Sequence, residues 1–397
     1  MKLYTVKNQV YNDRVVVADD MILTTEHPTS AGSRMLEGYV SLIGSEALGC
    51  LTAAGYVLGG KTQVGEFAID LVGETSKDGA IYKDGKAVNA AACVLLADEA
   101  CVALTLDVNG SVRRAAAQSG LCSVKPTYGT VSRYGTIPVA CSGDTVSLMA
   151  RNTGECRNAL NVIRSCDPKD GTCIPESMRN EKTAPVKRVA VIASLMRDVD
   201  AEVNRAITAA AAALTDAGIE VITIDDSVIC TSRPAWNILM CAELCNNVSR
   251  YDGVSFGHRA ESFSGIDELY TNSRTEAFGD LLKAAVIYGS ETLSANNYIK
   301  VYDKALRTRR VIVEAFAALF EKFDALLMPA CSTMAYTEKM LKETPRLVFD
   351  ENLYTAPASI SGLPAIVSGG IQLAGPAFSE STLLDTAAII EKGGQVI

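Results

Sequence analysis

Histidine is nearly absent from this 397-residue chain, with His27 and His258 the only two. A zinc site with imidazole ligands therefore has little to draw on. The twelve cysteines do not fill the gap. The close pairs Cys166/Cys173 and Cys241/Cys245 lack CxxC spacing and have no histidine nearby, so no metal site is expected. Most cysteines stand where alanine or serine would, as small buried hydrophobes. No apolar run reaches the roughly 18 residues that a membrane span needs. Positive charge is not in excess either: 37 Lys and Arg face 46 Asp and Glu, a net charge of −9. Such a chain exerts no general pull on nucleic acid. The basic stretch Arg307, Arg309, Arg310 reads as a solvated helix face. Met1-Lys2-Leu3-Tyr4 runs straight into mixed polar sequence without a signal-peptide pattern. The expectation is a cytoplasmic protein with reduced thiols.

What is present is ample apolar material, 48% of the residues, enough for a large core. Gly55 to Gly60 reads as a buried strand ending in a turn. Ala90 to Leu106 carries two short apolar runs that fit a helix followed by a central strand. Thr145 to Cys166 reads as a helix, with Val146, Met149, Leu160 and Ile163 near helical spacing. Residues 167–187 are polar, contain three prolines and look like a linker. A β-α-β unit follows: a strand at 188–193, a helix capped by Asp200 with an inner stripe of Val203, Ile207, Ala210, Ala211 and Leu214, and a strand at 219–224. A crossover of that length makes the two strands parallel. Residues 234–250, 264–295 and 296–322 are mostly helical, the last with Val311, Phe316, Leu319 and Phe320 on its apolar side. Strands are expected at 324–328 and 362–367, and a closing helix around 383–390. The layering is helix, sheet, helix.

Several stretches, in order, resemble one family. Gly60-Lys61-Thr62-Gln63-Val64-Gly65-Glu66-Phe67-Ala68 resembles the pattern GKTNMDEFA. Asn109-Gly110-Ser111-Val112-Arg113 resembles GGSIR. Lys125 to Gly135 is nearly KPTYGRVSRYG. These mark the amidase-signature family. Ser33 to Val40, Ser249 to Val254, Ser273 to Asp280, Tyr354 to Pro357 and Gly362 to Ile366 further resemble its amidotransferase A-subunit branch, which acts on Glu-tRNA(Gln) or Asp-tRNA(Asn). The resemblance implies an α/β amidase-signature fold: a central mixed, mostly parallel sheet covered by helices on both faces. It implies one domain over 1–397, with catalytic motifs in 1–166, the linker-like segment at 167–187, and substrate-pocket helices in 188–397.

The family cleaves amides with a Ser–cis-Ser–Lys triad, in which a neutral, desolvated lysine draws a proton through a bridging serine from the attacking serine. By motif, Lys61 takes the base position and Ser111 that of the nucleophile. The backbone amides of Val108, Asn109 and Gly110 take the oxyanion position. The family's bridging serine lies in GGSSGGSAAA, and counting back from Ser111 puts Ala87 in its place. Ala87 has no hydroxyl, so the relay is broken. Lys61 and Ser111 are 50 positions apart, closer than in the family, and Asp78 to Gly85 replace a long loop. Ser76, two residues before that stretch, is the nearest serine. In the implied glutamine pocket Trp236 stands for a tyrosine, Ala285 for an arginine and Asn352 for an aspartate. The charges that would pair with the substrate's α-carboxylate and α-ammonium are therefore gone. A GLPVG hairpin is missing after Gly370.

Three functions follow from the resemblance. One is a glutamine-hydrolysing amidotransferase A subunit that supplies ammonia for transamidation of misacylated tRNA. In the family such a subunit works with B and C subunits, and ATP and magnesium belong to the partner, so no cofactor is expected in this chain. Contact with tRNA would be indirect. The second is a non-catalytic paralogue acting as a binding or regulatory partner. The third is an amidase of altered substrate.

Overall fold

Continuous apolar runs, rather than alternating ones, build the strands nearest the site. Val15-Val16-Val17-Ala18-Asp19 and Val102-Ala103-Leu104-Thr105-Leu106-Asp107 are buried at every position, as strands covered on both faces must be. The computed structural model describes residues 1–10 and 12–393, and in it these runs lie inside one large sheet. The strands are β1 (Tyr4–Lys7), β2 (Val15–Asp19), β3 (Val57–Thr62), β4 (Tyr82–Lys83), β5 (Lys86–Ala87), β6 (Val102–Asp107) and β7 (Cys122–Lys125). They continue with β8 (Thr145–Ala150), β9 (Arg188–Ile192), β10 (Glu220–Ile224), β11 (Ala325–Pro329), β12 (Ala365–Ser368) and β13 (Ile371–Ala374). Among the described residues β4 and β5 form a separate hairpin. The other eleven strands form one sheet in the order β1-β3-β2-β6-β8-β7-β12-β13-β11-β9-β10.

The sheet is mixed, as expected. Its parallel pairs fall into two blocks, β3-β2-β6 near one end and β11-β9-β10 at the other. From β6 through β8, β7, β12 and β13 to β11 every pair is antiparallel. The parallel pairing is confined to these blocks. The hairpin β12–β13 turns on two residues, Gly369-Gly370, where the family pattern has a longer segment.

Side-chain alternation sends each sheet face into its own core. Val16 and Ala18 of β2, with Val102, Leu104 and Leu106 of β6, pack in one apolar cluster with the helix Thr153–Ile163. Val15, Val17 and Ala103 pack in the other with Val112, Ala115 and Ala116 of the helix Ser111–Ser119. Helices therefore cover both faces. The helix Ala201–Asp216 is capped by Asp200, whose carboxylate accepts from the amides of Glu202 and Val203. Its flanking strands β9 and β10 pair in parallel. Among the described residues no helix is long and apolar enough to cross a membrane.

Three expectations need correction. Thr145 to Cys166 is not one helix: Thr145–Ala150 is strand β8, and the helix begins at Thr153, capped by Asn152. Val146 and Met149 are both buried because a central strand buries its two faces, and that mimics a helical stripe over a short run. Val311 is half exposed, and the buried stripe of its helix is Ala305, Ile312, Phe316 and Leu319. The segment 167–187 does more than link two halves. Asp167 accepts from the Ser132 hydroxyl and Asp170 from the Arg133 amide, so the segment is laced to the Lys125–Gly135 stretch.

Candidate active site

The turn between β6 and the helix Ser111–Ser119 carries the nucleophile candidate. Gly110 caps this helix with φ of +83°, and a Cβ there would lie 2.3 Å from the Thr355 side chain. Glycine is required on both counts. Ser111 is the first helical residue and nearly buried. Its position at a helix N-terminus favours negative charge nearby. Val108, Asn109 and Gly110 form the buried turn just before it, and the amides of Asn109 and Gly110 make no backbone hydrogen bond among the described residues. The turn is fixed from outside. The Thr355 hydroxyl donates to the Asn109 carbonyl at 3.0 Å and accepts from Arg114 at 3.0 Å.

Arg113 and Arg114 are both fully buried. Arg113 donates to both carboxylate oxygens of Asp107, to the Thr355 carbonyl, to Gln372 and to Ser359. Burial alone would raise the Asp107 carboxyl, but the Arg113 guanidinium outweighs it and holds that group below the usual range. Lys125 is also buried, and its ammonium donates to the carbonyls of Pro126 and Leu363. Burial, then the charge of Arg113, pushes it down to about 7.

Lys61 sits near the end of β3, fully buried. Its ammonium is ion-paired with Asp20 at 2.9 Å and donates to the Pro28 carbonyl at 3.1 Å and to the Thr29 hydroxyl. Burial lowers its pKa, and Asp20 works the other way.

Ser111 opens on a different space, a cavity of about 20 Å³. Its lining includes Asp19, Gln63, Asp70, Asn89, Thr105 and Ser111, and does not include Lys61 or Ala87. Burial pushes Asp19 up to about 7 despite hydrogen bonds from the amides of Leu106 and Met21. Asp70 is pushed up to about 8, by burial first and by the neighbouring Glu74 second, while Arg114 and the Ser111 hydroxyl pull it down. Neither Asp70 nor Asp19 belongs to a motif recognised in the sequence. A signal for Asp70 was there: an aspartate inside the apolar run Ile69-Asp70-Leu71-Val72 must be buried with a purpose.

Ala87 ends the short hairpin β4–β5, which turns on Asp84-Gly85; its amide donates to the Tyr336 carbonyl. Ser76 faces another cavity, of about 270 Å³, with Arg34, Glu66 and Lys77. Trp236, Ala285 and Asn352 are all buried on three helices, Ser232–Val248, Asp280–Leu293 and Asn352–Ser361, the first of which packs on the other two. None of the three lines the Ser111 cavity. Asn352 donates to Asn237 at 2.6 Å, and the Trp236 ring lies against Gly143.

Comparison with known proteins gives the family and the fold. The amidase family model matches residues 90–384. The glutamyl-tRNA(Gln) amidotransferase A subunit of Lachnoclostridium phytofermentans is 32% identical over 95% of this chain and 82% of its own length. That of Maridesulfovibrio salexigens is 33% identical over 95% and 83%. Among solved structures, the glutamyl-tRNA(Gln) amidotransferase A subunit from Thermotoga maritima superposes with a TM-score of 0.82 at 23% identity, covering 99% of this chain and 88% of that one. The 6-aminohexanoate cyclic dimer hydrolase, complexed with substrate, gives 0.78 at 19% identity, covering 96% and 84%. The fold, the order of the motifs and these relatives agree: the chain belongs to the amidase family.

Proposed function

We propose that this chain hydrolyses an amide through Ser111, as a glutamine-hydrolysing A subunit supplying ammonia for transamidation of misacylated tRNA. The observation that carries the reading is the placement of Ser111. It opens a helix, behind a glycine turn with free amides, beside a cavity holding two buried carboxyls. That arrangement suits attack on a carbonyl and stabilisation of the oxyanion that forms. The names borne by relatives sharing about a third of the sequence support glutamine as the amide donor. On this reading the chain acts in the cytoplasm with B-like and C-like subunits, and ATP, magnesium and tRNA are the partner's concern. Lys61 keeps the place of the family's base.

A second reading, a non-catalytic binding or regulatory paralogue, is favoured by one set of positions. Ala87 brings no hydroxyl, and Ala285 and Asn352 bring no charge for an amino-acid zwitterion. One experiment separates the readings: ammonia release from glutamine by the purified chain, alone and with a B-like subunit, for the wild type and Ser111→Ala. Release that falls to background in the variant supports the proposal. Release of ammonia from another amide but not from glutamine points to an altered substrate. No release from any amide, together with stable association with the B-like subunit, establishes the paralogue and ends the proposal.

A further inference from the structure

Lys61, at the position of the family's lysine, does not line the cavity beside Ser111. Its ammonium donates to Thr29 and Pro28 and is ion-paired with Asp20, whose Oδ1 accepts no hydrogen bond. The carboxyl of Asp70 lines the same small cavity as Ser111, with no hydrogen bond between the two side chains among the described residues.

Asp70 is held there by its backbone. Arg114 lies one helical turn beyond Ser111 and so shares its face. Its guanidinium donates to the carbonyls of Asp70 at 2.9 Å and Leu71 at 3.2 Å. Glu74 closes the loop by accepting from the amides of Leu71 and Val72, and Asn89 donates to the Val72 carbonyl. The space Asp70 fills exists because residue 65 is glycine. A Cβ there would lie 2.3 Å from the Asp70 Cβ and 2.5 Å from its Cγ. In GKTNMDEFA, which this segment resembles, that place belongs to an aspartate. Here position 65 carries no carboxylate, and Asp70 fills the space that a side chain there would take. Within the cavity Oδ1 of Asp70 accepts no hydrogen bond from the described residues, nor does Oε1 of Gln63, and both residues line the space beside Ser111. Acceptors left unpaired and buried are costly unless a donor arrives.

We propose that the Asp70 carboxylate takes the proton of the Ser111 hydroxyl, so that this nucleophile is activated directly rather than through a lysine–serine relay. The proposal rests on reading Ser111 as the nucleophile. As the Ser111 Oγ bonds to the amide carbon, its proton passes to Asp70. Asp70 then returns that proton to the departing nitrogen as the C–N bond breaks, releasing ammonia or amine and leaving an ester on Ser111. In the second half Asp70 takes a proton from water, the hydroxide oxygen bonds to the ester carbon, and the proton passes to Ser111 Oγ as the acid leaves. The charged and titratable groups facing Asp70 are Glu74 on its own loop, Arg114 on the helix, and Asp19 at the end of β2. A carboxyl titrating near 8 is a base matched to neutral solution.

The test uses diisopropyl fluorophosphate, which reports the nucleophile without knowledge of the substrate: the Oγ–P bond forms, P–F breaks, and the base takes the proton. Labelling is followed by intact mass on the full chain. Wild type is expected to be labelled once, at Ser111, at a rate that rises with a single ionisation near pH 8. Asp70→Asn, checked for its fold by circular dichroism, is expected to label on the order of a hundredfold more slowly or worse, without that ionisation. The wild-type profile needs no variant, so poor folding of Asp70→Asn does not protect the idea. A flat wild-type profile overturns it, as does absence of labelling, an unchanged rate in Asp70→Asn, or a profile lost in Lys61→Met and kept in Asp70→Asn. Glutamine hydrolysis measured in parallel separates the two proposals. Asp70-dependent labelling without ammonia from glutamine sinks only the choice of substrate. Glutamine turnover indifferent to Asp70→Asn sinks only the carboxylate.

Discussion

Arg113 offers the sharpest test of how the turn before Ser111 is held. Its five N–H donors are all used: Nε and Nη2 to Asp107 at 2.8 and 3.0 Å, Nη1 to the Thr355 carbonyl at 2.9 Å and Gln372 at 2.8 Å, and Nη2 also to Ser359 at 2.8 Å. No part of the pair with Asp107 is exposed. Arg113→Met keeps much of the stem and removes the charge. Gln372 and Ser359 retain other bonds, to the carbonyls of Tyr354 and Thr355. Asp107 is left buried without its guanidinium. Removing one member of a buried pair costs about 3–5 kcal/mol, a large part of a normal stability of about 5–15 kcal/mol. The measurement is the urea midpoint by circular dichroism at pH 5 and pH 8. The deficit must grow with pH. In the wild type the depressed Asp107 contributes stability that is present above the ordinary carboxylate pKa and lost only as pH falls through its low folded value. In the variant burial raises the same group, so its contribution is lost as pH rises. The double variant Asp107→Asn/Arg113→Met, which buries no lone charge, should be more stable than Arg113→Met at pH 8 by about 1–2 kcal/mol. A deficit below about 1 kcal/mol, or one equal at both pH values, refutes the reasoning.

The cavity carboxyl has a stability signature of its own. Asp70 keeps its proton to about pH 8 in the fold, against an ordinary aspartate value near ~4. The folded state therefore binds up to one more proton between these limits, and stability falls as pH rises. Asp70→Asn should flatten that decline by up to about 1.4 kcal/mol per pH unit, read from urea midpoints between pH 5.5 and 8; parallel curves would exclude it. Gly110→Ala places a Cβ 2.3 Å from Thr355 in a left-handed backbone. It should cost about 3 kcal/mol in thermal or urea unfolding and abolish Ser111 labelling; wild-type behaviour in both would mean the turn is not rigid. Gly143→Ala meets the Trp236 ring at 2.1 Å. It should destabilise by about 1–3 kcal/mol and shift the fluorescence of the only tryptophan, and an unchanged spectrum would count against the packing described.

Much of the fold was legible because its signals are local. The helix after Asp200 shows its cap and stripe, and the parallel pairing of its two strands follows from the crossover between them. Thr145–Ala150 was misread because a strand buried on both faces has no period of two to betray it. Ser111 was legible from motif and spacing, as was the turn before it. Asp70 was not, because motif comparison looks for the expected residue at the expected place. It is silent about a side chain that reaches the same space from five residues on. The pairing of Lys61 with Asp20 was illegible for a related reason: ion partners in different strands and loops have no fixed sequence separation. Trp236, Ala285 and Asn352 lie on helices that meet, and the helix carrying Asn352 was not read from the sequence. What those positions bind cannot be read from them, since two of the three now pack or pair within the protein itself.

The departures at 65, 70 and 87 are better understood as one change than as three losses. A relay hydroxyl is needed where a base lies too far from the nucleophile for direct transfer. By resemblance Lys61 would be such a base, and in this chain its ammonium donates to Thr29 and Pro28 and is ion-paired with Asp20. The absence of a side chain at 65 leaves room for the Asp70 carboxyl in the cavity that Ser111 also lines. Once a carboxylate faces the nucleophile, a serine at 87 has no proton to carry. Alanine there can serve instead as apolar packing against Ala91 and Val94 in the second core. Random loss would leave the buried acceptors of the cavity without purpose, and unpaired buried oxygens are a standing cost to the fold. Their persistence beside Ser111, on a loop pinned by Arg114 to the same helix face, is what a rebuilt proton path requires and what decay alone does not produce.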